Sequence, residues 1–271
     1  PLVHITDLTQ MGPKKLVVFD LDGTLALTKA PMDAEMTDLM AKLLANMRVA
    51  VIGGGKYELF QEQLLAPLAS LSPDLLKNLS LFPTTSTRYY RYASNGWEKV
   101  YAHELSVEER ARITAAFEQA FKDVGYQHPA KTYGPVIEDR GTQVTWSALG
   151  QNVVAELGTK GVELKEEWKK NNTPVKMQVA ARVAELLPDL EVRAAGHTSV
   201  DVTKKGIDKA YGLGQIEQYL GIPVADMLFV GDAIFPGGND FAVTKTPVDY
   251  VAVDGPEDTK KCIRFLLNQA V

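Results

Sequence analysis

The chain has 271 residues, 45% of them hydrophobic and 23% charged, enough apolar side chain for one large domain or two ordinary ones. Its net charge of −5 speaks against a general nucleic-acid or anionic-membrane binder, which needs a basic excess, while leaving room for a local basic pocket. The single cysteine, Cys262, excludes an intramolecular disulfide, and no apolar run is long enough to span a bilayer. The first residues, PLVHITDLTQMGPKK, show no signal-peptide core or cleavage pattern, so a cytoplasmic, reducing setting is expected.

Strand-like and helical runs alternate along the chain, as in a parallel sheet with covering helices. Leu16 to Phe19 (LVVF) reads as a buried strand and Asp33 to Asn46 as a helix. Arg48 to Ile52 (RVAVI) reads as a second buried strand, stopped by Gly53-Gly54-Gly55, and Tyr57 to Ala69 as a helix. Thr87 to Tyr101 carries Ser94-Asn95-Gly96 between β-rich flanks, which predicts a hairpin. Val107 to Val124 has apolar residues at helical spacing. Val136 to Leu149 is strand-like with a turn or bulge at Gly141. Glu163 to Leu187 is helical but contains Pro174, which predicts two helices, and Glu191 to Thr203 is strand-like again. Met227 to Val230, Tyr250 to Val253 and Pro256 to Gln269 complete the pattern as strand, strand and helix. The expected architecture is α/β: a Rossmann-like, doubly wound parallel-sheet core of residues 1–103 plus 204–271, with an α+β insert at 104–203.

Ligands of an open α/β sheet bind beyond the carboxyl ends of its strands. The first strand delivers Asp20 and Asp22 there, and residues two apart leave a strand on the same side. Two carboxylates about 4 Å apart repel by roughly 4 kcal/mol at an effective dielectric near 20, so the pair needs a cation or a shared proton. Another strand ends in Gly231-Asp232, followed by Pro236-Gly237-Gly238-Asn239-Asp240. The gathered donors are oxygens, with no His/Cys pairs at ligand spacing, which favours Mg²⁺ over zinc.

Asp20-Leu21-Asp22-Gly23-Thr24 resembles the DxDGT signature of the haloacid-dehalogenase-like superfamily of phosphotransferases. Gly206 to Lys209 (GIDK) is similar to its third motif, and GDAIFPGGND, Gly231 to Asp240, to its fourth. A large α+β cap between the second and third motifs is similar to the type IIB subclass. Within it, VIGGGKYELFQEQL, SVDVTKKGIDK, GDAIFPGGNDF and PEDTKKC resemble eukaryotic-type phosphomannomutases. The resemblance implies that Asp20 is a nucleophile forming an aspartyl-phosphate and that Asp22 is the general acid/base. It implies Mg²⁺ on Asp20, Asp232 and the backbone carbonyl of Asp22, with Lys209 pairing the phosphoryl group and Asp20. Gly53, Gly54, Gly55, Asn239 and Asp240 are expected to serve the phosphate, Asn239 and Asp240 by orienting the metal shell or Lys209.

Substrate contacts implied for the cap are Ser199 and Asp201 on sugar hydroxyls and Arg140 on a second phosphate, with Lys29 where the family has arginine after its first motif. The chain departs from the family in two places. The second motif offers Gly53-Gly54-Gly55 and no hydroxyl, so these glycines either present N–H groups to phosphate or only turn the chain. At Gly150-Gln151 the family has Gly-Arg, and a mutase must hold a bisphosphate in two orientations, for which the arginine fork is suited. The favoured reading is therefore hydrolysis of a sugar phosphate. The alternative is a phosphomannomutase-like hexose phosphate mutase, and a third is a non-catalytic phosphate-binding module. Neither a nucleic-acid nor a membrane partner is expected, and the family suggests a homodimer through the cap. The glycines of Gly54-Gly55-Lys56 and Gly212-Leu213-Gly214 lack the context of a P-loop or dinucleotide fingerprint. His4, His103, His128 and His197 are scattered, and Trp97, Trp146 and Trp168 read as packing residues.

Overall fold

The computed structural model describes residues 2–3 and 5–269, so His4 lies outside the described residues. Its strands are β1 (Leu2–Val3), β2 (Leu16–Phe19), β3 (Arg48–Ile52), β4 (Leu79–Phe82), β5 (Arg88–Ala93), β6 (Gly96–Ala102), β7 (Ile137–Asp139), β8 (Val144–Ser147), β9 (Leu190–Ala195), β10 (Ser199–Lys204), β11 (Met227–Gly231) and β12 (Asp249–Ala252). They form two sheets in two compact units. The first unit holds residues 1–102, 208–236 and 240–271, and the second holds 103–207 and 237–239.

The first unit is built on an eight-stranded sheet of order β1-β12-β11-β2-β3-β4-β5-β6. Pairing is parallel from β1 to β4 and antiparallel for β5 and β6, the hairpin that Ser94-Asn95-Gly96 predicts. Every residue of β2 is buried, because the sheet is covered on both faces. Val17 and Phe19 pack into one core cluster with Met36, Leu43 and Ile263 from the helices Ala34–Asn46 and Pro256–Gln269. Leu16 and Val18 pack into the other with Leu213 and Ile216 from the helix Lys209–Leu220. The chain leaves β2 for β3 on one side and returns as β11 on the other, so the strand order reverses at β2. That reversal opens a crevice at the carboxyl end of β2. Cys262 is buried in the first cluster, and burial pushes its thiol up to about 12, as befits a packing residue.

The second unit is a four-stranded antiparallel sheet of order β7-β8-β10-β9. Val144, Trp146, Val200 and Val202 point to one face. There they meet Ile113 and Phe117 of the helix Val107–Val124 and Trp168, Val179 and Val183 of the helix Thr159–Leu186. Side-chain alternation sends Thr145, Ser147, Ser199 and Asp201 to the opposite face, which is therefore polar. The Val107–Val124 helix starts on a Ser106–Glu109 capping box and stops at left-handed Gly125.

Two local expectations change. Pro174 does not divide the second long helix, which runs unbroken over Thr159–Leu186. Pro174 is exposed, so the carbonyl it leaves without a partner can be solvated, while Trp168 before it and Val179 after it anchor both halves in one core. Tyr57 to Ala69 is not a plain α-helix either: α-turns over Tyr57–Phe60 widen to π-turns over Gln61–Leu65. Gly212 and Gly214 lie inside the helix Lys209–Leu220, so they make no nucleotide loop. A Cβ on Gly212 would stand 2.7 Å from Ile52 Cδ1 and 3.0 Å from Ser86 Cβ, so glycine there lets the helix close on β3. No described helix is long and apolar enough to cross a membrane.

Candidate active site

Residue pairing brings the ends of β2 and β11 level, with Phe19 opposite Val230. Asp20 and Asp232 then leave neighbouring strand ends together. Asp20, Asp232 and Asp240 each place one carboxylate oxygen within 4.8 Å of the others. Lys209, fully buried at the first turn of its helix, donates to Asp20 Oδ1 at 2.6 Å and Asp240 Oδ1 at 2.5 Å. Asp208 caps that helix by accepting from the Tyr211 N–H at 2.9 Å, which fixes where Lys209 begins. Gly23 is required between the acids: φ is +78°, and a Cβ there would run into the Asp232 carboxylate.

Three acids and one lysine leave the cluster short of positive charge. Burial pushes the Asp20 carboxyl well above the usual range; Lys209 opposes this, and Asp240 and Asp232 add to it. Burial, with Asp240 beside it, raises Asp232 as well. Burial alone would lower Lys209, but Asp20 and Asp240 outweigh it and hold the ammonium above its ordinary value. The donor set is all oxygen, with two buried carboxylates, a half-buried one and no sulfur or imidazole among the three. Such a set suits a hard divalent cation, which would offset the repulsion that otherwise favours protonation.

Asp22 faces elsewhere. Its Oδ1 accepts from Gln63 Nε2 at 2.7 Å and from the Lys29 backbone N–H at 3.1 Å, so its carboxyl is outside the three-acid cluster. Gln63 also donates to Ala30 O at 3.0 Å and is buried. It sits on the π-turns after Gly55, and nothing in QEQLL alone marks it as the residue that holds Asp22. Lys29 reaches Asp22 through its backbone, at a left-handed φ of 55°.

Of the two roles expected for Asp240, orienting the metal shell or Lys209, its hydrogen bond to the Lys209 ammonium fits the second. Its carboxylate is fully buried, bound to that ammonium and to the Ala233 N–H at 3.0 Å, and a carboxylate facing phosphate would repel it. For Gly53 the turn is the reading that fits: its N–H goes to Phe82 O at 3.3 Å, and a Cβ there would stand 3.2 Å from Phe60 Cζ. It serves packing and the turn. Gly53 and Gly55 accept from Thr85 N at 2.9 Å and Thr84 N at 2.8 Å, which ties the glycine turn to the end of β4. There Thr84, Thr85 and Ser86 are three consecutive buried residues with φ of 50°, 59° and 65°. Left-handed backbone in such residues carries strain of order 1–3 kcal/mol each, and it concentrates at functional sites. Ser86 Oγ donates to Asp208 O at 2.9 Å, so this turn holds the start of the helix that presents Lys209. Sequence reading gave no sign of it, because Thr and Ser are poor left-handed residues. Asn239 is half-buried and groups with the second unit.

In the second unit, Arg140 Nε pairs with Glu138 at 2.6 Å and its Nη2 donates to Gln151 Oε1 at 3.0 Å. Gln151 is buried and donates in turn to Thr145 O at 3.3 Å. Thr145 Oγ1 donates to Asp201 Oδ1 at 2.7 Å. Half-buried Arg140 and buried Gln151, Thr145 and Asp201 thus form one polar run, and Ser199 lies half-buried on the same strand as Asp201. Trp146, fully buried in the apolar core, is a packing residue.

The profile of the eukaryotic phosphomannomutase family matches residues 36–269. A probable phosphomannomutase of Caenorhabditis elegans is 30% identical over 263 residues, covering 94% of this chain and 96% of that protein. Among solved structures, a Plasmodium falciparum IMP-nucleotidase overlays with a TM-score of 0.70 at 17% identity, covering 97% of this chain and 70% of that one. A haloacid dehalogenase-like hydrolase from Bacteroides thetaiotaomicron overlays at 0.56 and 15% identity, covering 93% and 99%. At such identities the overlays speak for the fold. The match over 36–269, together with strand-end acids around a buried lysine, makes this chain a member of the eukaryotic phosphomannomutase family and an enzyme of the haloacid-dehalogenase superfamily of phosphotransferases.

Proposed function

We propose that the chain is a Mg²⁺-dependent hexose phosphate mutase that works through an aspartyl-phosphate on Asp20. The buried Asp20–Lys209–Asp240 triad carries the reading, because it holds one carboxylate at a strand end beside a fixed ammonium. An Asp20 oxygen attacks phosphorus, the sugar oxygen–phosphorus bond breaks, and Asp22 gives its proton to the departing oxygen. Asp22, now a carboxylate, takes the proton of the next hydroxyl as that oxygen attacks phosphorus and the Asp20 oxygen–phosphorus bond breaks. Gln63 holds Asp22 in place for both steps. Lys209 neutralises charge on Asp20 and the phosphoryl oxygens. A Mg²⁺ ion on Asp20 and Asp232, with the Asp22 carbonyl, would shield the nucleophile from the phosphate and stabilise the transferring charge. The second unit serves as the cap that reads the sugar through Arg140, Ser199 and Asp201.

Family membership favours a sugar hydroxyl over water as the acceptor, which reverses the preference drawn from sequence. Gln151 keeps the hydrolytic reading in play, since a neutral amide stands where a second arginine would grip phosphate. Phosphorus NMR separates the two. A hexose 1-phosphate with a trace of hexose bisphosphate should give the 6-phosphate. Release of inorganic phosphate without the 6-phosphate would overturn the mutase reading in favour of a sugar phosphatase.

Metal dependence has its own test. Mg²⁺ at about a hundred times its dissociation constant stabilises a fold by about 2.7 kcal/mol, so Tm should rise by several degrees. Asp232→Asn should remove most of that rise, and a Tm indifferent to Mg²⁺ would count against the site.

A further inference from the structure

We propose that Ser86 is a positioning residue for phosphoryl transfer: its hydroxyl fixes the peptide from which Lys209 hangs, and so where the ammonium stands beside Asp20. This rests on the reading of Asp20 as nucleophile with Lys209 as its counter-charge, and not on which acceptor follows. Ser86 is fully buried just beyond the carboxyl end of β4, and its Oγ donates to Asp208 O at 2.9 Å. That carbonyl belongs to the peptide unit joining Asp208 to Lys209. It also accepts the first helical bond, from the Gly212 N–H at 3.1 Å, so Ser86 supplies its second partner. One residue on, the Lys209 ammonium meets Asp20 at 2.6 Å and Asp240 at 2.5 Å.

The seat of Ser86 is fixed from three sides. A Cβ on Gly212 would stand 3.0 Å from Ser86 Cβ and 3.2 Å from its Oγ, so this side chain enters a gap that glycine leaves in the helix. The Tyr101 hydroxyl, on β6, donates to Ser86 O at 2.9 Å, and the Tyr101 ring stacks on Tyr219 of the same helix with centroids 5.9 Å apart. Before Ser86, Thr84 and Thr85 tie the turn to Gly55 O and Gly53 O. Serine at φ 65° is strained, and glycine there would lose only the hydroxymethyl group and relieve the backbone. The net worth of one neutral hydrogen bond does not exceed that strain, so stability alone does not account for serine at this position. Placement does: reacting groups must be held to within about 0.5 Å, and Ser86 grips the backbone that presents the site's one cation.

Ser86→Gly and Ser86→Ala both delete the hydroxyl, and only glycine relieves the backbone. Each is assayed in the full chain with Mg²⁺ on glucose 1-phosphate, primed with a trace of glucose 1,6-bisphosphate. Both should lower kcat by about ten- to a hundredfold and change KM by less than about threefold. The glycine variant should melt above the alanine variant, so equal losses of kcat with unequal Tm separate positioning from folding. Tyr101→Phe keeps the ring and should lower kcat by about threefold in the parent but not in Ser86→Gly, where the link to Asp208 is already cut. Consumption of the 1-phosphate is counted whatever the product, so a mutase and a phosphatase give the same test. In crystals of the parent and of Ser86→Gly, Lys209 Nζ should shift against Asp20 by more than about 0.5 Å. An unmoved ammonium, or kcat retained in Ser86→Gly, would overturn the proposal. A parent that consumes no sugar phosphate would sink the proposed reaction, and the crystal comparison would still decide the role of Ser86.

Discussion

Replacing Asp20 by Asn is expected to lower Mg²⁺-dependent phosphoryl transfer by about 10⁴- to 10⁶-fold, the scale on which removing a covalent nucleophile acts. An amide oxygen in the same place can accept a hydrogen bond from Lys209 but cannot carry the phosphoryl group. The fold should not suffer. Asp20 is a buried acid whose carboxyl is held high by burial and by Asp240 and Asp232, so the neutral isostere removes a like-charge contact and leaves Lys209 paired with Asp240 at 2.5 Å. Loss of activity with an unchanged or raised Tm is the expected combination, read by a coupled assay and a thermal melt. Asp22→Asn should cost less, about 10²- to 10⁴-fold, because it removes proton transfer and not the nucleophile. Turnover surviving Asp20→Asn would end the aspartyl-phosphate mechanism.

Lys209→Met is expected to cost about 3–5 kcal/mol of stability as well as activity, since it breaks a buried ion network by removing its one cation. Lys209 is 0% exposed, and its ammonium touches both Asp20 and Asp240, so neither carboxylate has water to turn to. The pH dependence follows from Asp20. Its folded-state pKa already lies above the unfolded value, and the variant loses the lysine that opposed that shift. Between the unfolded and the raised folded pKa the folded variant then binds more protons than the unfolded chain, so this stabilising contribution should be full below the ordinary carboxylate pKa, be lost as pH rises through the raised pKa, and stay lost above it. Adding Asp240→Asn should recover much of the loss. Urea unfolding at several pH values checks both points, and a Lys209→Met variant as stable as the parent would contradict the network.

What was legible in the sequence is what local pattern controls. LVVF, RVAVI and MLFV are continuous apolar runs, and only a strand buried on both faces wants that, so β2, β3 and β11 were readable with the acids at their ends. The hairpin at Ser94-Asn95-Gly96 and the helix Val107–Val124 followed from turn chemistry and period in the same way. Pro174 shows the limit. Its local rule breaks a helix, yet the core contacts of Trp168 and Val179 on either side outweigh one missing hydrogen bond.

The sequence by itself determined the chemistry available: two acids on one strand end, a third on another, a lysine beyond an inserted segment, and the signature that joins them. Only the tertiary structure decided how those groups are used. Lys209 and Asp20 are 189 residues apart in the chain, and their contact depends on how the helix Lys209–Leu220 closes on β3 through Gly212. Gln63 became the support of Asp22, and Thr84 to Ser86 took a strained turn that pins Asp208, neither of which spacing could show. Side-chain period reports burial along one element. Which charge meets which across elements is set by packing, where one partner more or less decides whether a buried group is ionised.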